Sequence, residues 1–268
     1  TMIDERWESL GGERLLPVGL GDDQAEDKWE TAYGDWEPEL WNEMGTPPPP
    51  KALLPSAHTV QVVPKAEAPA DTVIPEYIVP KDAAGTGVMV PMTTSTPLTP
   101  NGRDVRHYEW DLTGSGMSYE AGDAMGVFST NGADRVAEFL EWYGLKEDDV
   151  IYIAPREGQE GLGLPTAVTA KQLFTQHLDI FGRPKRPFYE MLGILAEDDD
   201  ETAELDHLIT KEGRGELREL IDDTVTYADL LKRFPSAKVP VEYLLDYIPA
   251  IKPRLYSIAS DSLMHPEH

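Results

Sequence analysis

The sequence predicts an α+β protein in which a block of helices is inserted into a β domain, and three observations carry that prediction. Residues 86–155 read as β structure followed by a helix, with apolar and polar residues alternating over 107–112 at the period of two expected of a half-buried strand. From about 165 to 250 the apolar residues recur at helical spacing instead. At Arg254 the chain returns to a strand-like run, Arg254-Leu255-Tyr256-Ser257-Ile258-Ala259-Ser260.

The elements follow in order. Residues 1–45 read as a short strand at Arg14–Val18, a turn at Gly19–Asp23, and a helix whose first turn holds Glu26 and Asp27 and whose bulk comes from Trp29, Tyr33, Trp36 and Trp41. One strand and one helix cannot bury their own apolar faces, so this block reads as a piece of a domain. Residues 46–85 open with four prolines, Pro47–Pro50, and continue with Pro55, Pro64, Pro69, Pro75 and Pro80, the composition of a semi-rigid linker. Thr59–Val63 is β-prone and predicts an edge strand within it.

In residues 86–160, Tyr108, Trp110 and Leu112 alternate with His107, Glu109 and Asp111. A turn at Glu120–Asp123 leads to a strand at Ala124–Phe128. Asn131 is placed to cap the next helix, whose apolar stripe is Val136, Phe139, Leu140 and Tyr143, and Gly144 closes it. Val150–Ile153 returns to strand. Within 161–250 the spacing predicts helices over 169–178, 185–196, 202–222, 227–234 and 240–248, with Thr169 and Thr226 as caps. Residues 251–268 hold the final strand.

Composition excludes several classes of function. The 268 residues are 40% hydrophobic, enough for a core, and contain no cysteine. Disulfides, thiolate metal sites, cysteine-ligated iron–sulfur clusters and cysteine nucleophiles are therefore excluded from this chain. A net charge of −26 argues against nucleic acid or an anionic membrane as partner, because phosphate contacts need Lys and Arg. The acids concentrate in residues 1–50 and 197–223, as a solvated surface or as a surface that steers a basic redox partner. No apolar stretch approaches the roughly 20 residues that span a bilayer. Compartment stays open between cytoplasm and organelle.

The chemistry sits near the C-terminal end. Side chains alternate across a strand, so Arg254 and Tyr256 share one face, with Leu255 and Ser257 on the other. A guanidinium beside an aromatic ring suits a flat, anionic cofactor: the fork pairs with phosphate and the ring stacks. Other candidates carry less. His265-x-x-His268 has metal-like spacing but reads as incidental, and no metal site is expected. Gly161-Leu162-Gly163 lacks the strand–helix setting of a dinucleotide fingerprint. Glu197–Glu201 lacks the spacing of a calcium loop and reads as a solvated helix start.

Five short motifs in order resemble the diflavin reductase family, whose FAD domain is of the ferredoxin–NADP reductase type. Val18-Gly19-Leu20-Gly21-Asp22-Asp23, with its acidic Trp-rich sequel, is similar to the last strand and helix of that family's flavodoxin-like FMN domain. Tyr119-Glu120-Ala121-Gly122-Asp123-Ala124-Met125-Gly126-Val127 resembles a strand pair of its FAD barrel. Leu178-Asp179-Ile180 and Phe234-Pro235-Ser236 resemble its helical connecting domain, and Arg254-Leu255-Tyr256-Ser257 its flavin motif.

The resemblance implies an incomplete antiparallel flavin-binding β-barrel with an inserted helical connecting domain, preceded by the end of a flavodoxin-like domain. It implies that Arg254 binds the FAD pyrophosphate, Tyr256 packs on the isoalloxazine ring, Ser257 sits near flavin N5 as the catalytic hydroxyl, and Asp22 lies near the FMN edge. It also implies FAD, FMN and NADPH as cofactors of the parent protein, and a haem or iron–sulfur redox partner. The phosphate loop of a flavodoxin, the later barrel strands and an NADPH domain do not occur in these residues, so the FAD site is expected to be incomplete and the chain alone inactive. Two readings stay open: a stretch of an NADPH-dependent diflavin oxidoreductase, or a redox-inactive docking subunit derived from one.

Overall fold

The computed structural model describes residues 2–21, 30–47, 52–82, 85–210, 212–261 and 264. They fall into two compact units, Thr1–Ala52 and Leu53–His268.

The first unit contains helices α1 (Met2–Ser9) and α2 (Glu30–Glu43). The strand expected at Arg14–Val18 does not form: no ladder partner lies beside it among the described residues. The segment is held by side chains instead. Arg14 pairs with Asp4 and Glu8, at 2.5 and 3.0 Å, and Trp36 Nε1 donates to the Pro17 carbonyl at 3.0 Å. Asp22, Glu26, Asp27 and Trp29 lie outside the described residues.

The second unit opens with β1 (His58–Val63), then short β2 (Lys81–Asp82) and β3 (Gly85–Thr86), β4 (Met92–Pro97), β5 (Arg106–Trp110) and β6 (Ala124–Val127). Helix α3 (Ala133–Tyr143), β7 (Val150–Pro155) and β8 (Ala167–Thr169) follow. The helical block comprises α4 (Ala170–Gln172) with a π-turn at Leu173–His177, then α5 (Arg186–Leu195), α6 (Asp199–Leu208), α7 (Arg214–Asp222), α8 (Tyr227–Arg233) and α9 (Val241–Tyr247). Strand β9 (Arg254–Ser257) comes last.

All described sheets are antiparallel and small. One is three-stranded in the order β1-β7-β8; the others are the pairs β2-β3, β4-β5 and β6-β9. No closed barrel forms among the described residues. The β-prone stretch at Thr59–Val63 is the edge strand β1, with Val60 opposite Ile153.

The core sits in the helical block, where Leu173, Phe174, Leu178, Ile180, Leu230 and Leu244 are fully buried. Phe139 of α3 reaches into it, 5.4 Å from the Phe174 ring. Local chemistry fixes the helix starts. Thr169 and Gln172 form a reciprocal capping box, as do Thr226 and Asp229, each satisfying two backbone amides that a helix start leaves free. Asp198 accepts from the amides of Asp200 and Glu201, so the acidic run is the start of α6.

Two expectations are corrected here. The helix predicted over 202–222 is two helices, broken by a tight turn in which the Gly213 amide bonds the Thr210 hydroxyl at 3.1 Å. Asn131 does not cap α3. Its amide nitrogen instead donates to the carbonyls of Phe174 and Leu178, both at 2.8 Å, and the N-cap is Gly132. A buried π-turn leaves carbonyls that need donors, and Asn131 supplies them.

Candidate functional site

The site is built on the β6-β9 ladder. Its register sets Ala124 opposite Ser257, Met125 opposite Tyr256, Gly126 opposite Leu255 and Val127 opposite Arg254. The Ile258 amide extends the pairing by bonding the Asp123 carbonyl at 3.1 Å. Before β6 the chain turns at Glu120–Asp123, where the Glu120 amide bonds the Asp123 carboxylate at 2.8 Å and Gly122 takes a φ of 99° that favours glycine. Tyr119 and Ser260 close the far end, hydroxyl to hydroxyl at 2.7 Å. The Tyr119–Val127 motif and the Arg254–Ser260 motif are thus the two halves of one hairpin-like pair.

Strand β9 enters this pair from the helical block on a fixed path. Leu178 bridges Ala250, the Asp179 amide bonds the Pro249 carbonyl at 2.9 Å, and the Ile251 amide bonds the His177 carbonyl at 2.7 Å. Burial pushes the His177 imidazole down to about 4, so it stays neutral at ordinary pH.

All four β9 residues are exposed. Alternation puts Arg254 and Tyr256 on one face and Leu255 and Ser257 on the other. The structure therefore brings the guanidinium and the ring together, and leaves Ser257 at the strand end on the opposite face. Among the described residues no hydrogen bond or ion pair engages the Arg254 guanidinium. An exposed guanidinium and an exposed aromatic ring on one face suit a ligand with a phosphate and a flat ring, and so fit FAD. Asp22, expected at an FMN edge, lies outside the described residues, as do His265 and His268.

One residue of this neighbourhood carries no chemical role in the sequence reading. Burial raises the Asp179 carboxyl, and the positive charge of Arg254 partly offsets the rise. In the sequence it is a lone acid in the apolar stretch Leu178-Asp179-Ile180, and only the fold shows it half-buried. Among the described residues no group of three or more His, Cys, Asp or Glu residues is arranged to hold a metal ion, and no helix is long and apolar enough to cross a membrane.

Residues 82–268 match the family described as FAD binding domain. The chain is similar to the mitochondrial pyruvate dehydrogenase [NADP(+)] of Euglena gracilis, 36% identical over 98% of this chain and 14% of that protein. It is 34% identical to NADPH-dependent diflavin oxidoreductase 1 of Bos taurus, over 98% of this chain and 47% of that protein. It is also 38% identical to the sulfite reductase [NADPH] flavoprotein component of Saccharomyces cerevisiae, over 61% of this chain and 16% of that protein. The chain spans less than half the length of each. It belongs to the diflavin reductase family, through an FAD-binding domain.

Proposed function

We propose that this chain is the part of an NADPH-dependent diflavin oxidoreductase that holds FAD between its β domain and its flavin-motif strand. Arg254 pairs with the pyrophosphate, Tyr256 packs against the isoalloxazine ring, and Ser257 lies near N5, where a hydroxyl assists proton and hydride movement by hydrogen bonding. The bound flavin supplies the two-electron to one-electron chemistry. In the whole protein, electrons pass from NADPH through FAD and FMN to a haem or metal acceptor on a redox partner. Residues 1–45 are the end of a flavodoxin-like FMN domain with Asp22 at its edge, 46–85 the linker, 86–160 and 251–268 strands of an open FAD barrel, and 161–250 the connecting domain.

The observation that carries this reading is the exposed guanidinium of Arg254, engaged by no hydrogen bond or ion pair among the described residues, on the same strand face as the exposed Tyr256 ring. The test is FAD retention by the full-length protein, read from flavin absorbance after gel filtration. Arg254→Ala and Tyr256→Ala are expected to lose most of the FAD while thermal unfolding of the helical block is unchanged. Full retention in both variants overturns the reading.

The alternative, a flavin-free docking subunit, draws on the open edges of the two-stranded ladders, which can accept a further strand. Co-purification with a large assembly at stoichiometric yield, with no flavin in either, would favour it.

A further inference from the structure

Strand β9 does not hold itself in place. All four of its side chains are exposed, Leu255 at 73% and Tyr256 at 57%, so burial does not fix it. A two-stranded ladder of this length is marginal on its own. The position of β9 therefore depends on where its lead-in is anchored and on where β6, its mate, is tied.

Both ties run to Asn131. On the β9 side, the Ile251 amide bonds the His177 carbonyl at 2.7 Å, Leu178 bridges Ala250, and only Lys252 and Pro253 separate this anchor from Arg254. Proline stiffens that short connection, and Pro253 packs against Gly126 of β6, where an added Cβ would lie 3.4 Å from the Pro253 Cβ. The anchor itself is the π-turn with Leu178, and Asn131 grips it. Its side-chain amide gives both hydrogens to the Phe174 and Leu178 carbonyls, each at 2.8 Å, and its backbone amide bonds the Thr175 carbonyl at 2.9 Å. On the β6 side, Asn131 stands four residues beyond Val127, the ladder partner of Arg254. Arg254, Val127, Asn131, the π-turn and Ile251 thus close a ring of covalent and hydrogen-bonded links.

We infer that Asn131 is a positioning residue for the flavin site, fixing β9 against β6 so that the Arg254 guanidinium and the Tyr256 ring are presented to FAD at a set place. The inference rests on the reading of Arg254 and Tyr256 as FAD contacts. Asn131 acts through the backbone of the π-turn and of the β9 lead-in. An aspartate of the same size could not serve, because a carboxylate facing two carbonyls offers only acceptors.

The test uses the full-length protein stripped of flavin and titrated with FAD, with the visible circular dichroism of the bound flavin as a second readout. Asn131→Ala is expected to weaken FAD by about tenfold, within the range of coupling between linked sites, and to alter the dichroism of the flavin that binds. Asn131→Ser, which keeps one donor, should do the same to a smaller degree, and it carries the comparison should the alanine variant fail to fold. In an Arg254→Ala background the Asn131 substitution should cost clearly less than it does alone, because part of what it misplaces is already gone. Unchanged affinity and dichroism in the Asn131 variants, with Arg254→Ala still weakening FAD, overturns the positioning role alone. A full, additive loss in the Arg254→Ala background overturns it too, since Asn131 would then support the fold and not the site. Unchanged FAD binding by Arg254→Ala overturns the phosphate-ligand reading, and the positioning role with it.

Discussion

The imidazole Nδ1 of His58 lies 3.1 Å from Oδ1 of Asp246, a residue 188 positions further along the chain. The other carboxylate oxygen of Asp246 accepts from the Ala57 amide at 3.2 Å. Around them the Ser56 hydroxyl meets the Glu242 carbonyl, and Arg156 bonds the Ser56 carbonyl. One helix, α9, thus fastens the start of the edge strand to the core. Asp246→Ala would leave a buried imidazole and a backbone amide without their acceptor. The expected cost is about 1–3 kcal/mol of unfolding free energy, measured by urea denaturation, because the buried imidazole donor bears its desolvation penalty while water can reach the Ala57 amide. Hydrogen exchange should show Ala57–Val60 losing protection before the helical block does. A loss below about 0.5 kcal/mol would contradict the latch.

His177 gives a pH dependence with a definite sign. Its folded value of about 4 lies below the ordinary 6.5, so the unfolded chain binds more protons between these values. Stability should be complete above about pH 6.5 and fall as pH drops toward 4, by about 3 kcal/mol at full effect. Asp179, raised by burial, has the opposite sign and stabilises toward its protonated side. His177→Phe should flatten the slope between pH 4 and 6.5 in thermal melts. An unaltered slope would refute the assignment to this ring.

Thr224 is the sole non-glycine residue with positive φ among those described, at 58°. It follows α7 in the place usually taken by glycine, with the Val225 amide bonding the Leu220 carbonyl at 3.2 Å. A β-branched residue there is strained. Thr224→Gly is expected to raise stability by about 0.5–1 kcal/mol, since relief of strain exceeds the added chain entropy. A destabilised variant in calorimetry would mean that the Thr224 side chain makes a compensating contact.

Gly182→Ala should cost about 1 kcal/mol, because its Cβ must push the Asp179 carboxylate aside and sits tightly, at 3.0 Å, against the Asp179 carbonyl. Chemical denaturation reads the loss directly. A neutral substitution would show that the Asp179–Gly182 turn is softer than its hydrogen bonds imply.

The helical block was legible in the sequence because its signals are local. Thr169, Thr226 and Gly144 perform the capping and closing roles their chemistry suggests, and Gly144 closes α3 with a φ of 86°. The two halves of the site were legible as motifs, since alternation along Arg254–Ser257 needs only the chain itself. What escaped depends on distant partners. Arg14–Val18 has strand composition but no neighbour among the described residues to complete a ladder. Asn131 looks like a cap until the carbonyls of a π-turn forty-odd residues away, at Phe174 and Leu178, compete for its donor. His58 gives no periodic signal, and its partner Asp246 lies 188 positions away.

The pairing of β6 with β9 also sets an order of events during synthesis. Tyr119 and Ser260, which close the pair, stand 141 residues apart in the chain. Closing so long a loop from an unstructured coil is entropically costly, and a four-residue ladder gains little in return. The helical block shortens that search, because once folded it delivers Ala250 beside Leu178 and aims the following strand at its mate. Strand β9 should therefore be the last part of this unit to mature on the ribosome. A lesion in the helical core would then surface first as poor flavin incorporation in newly made protein.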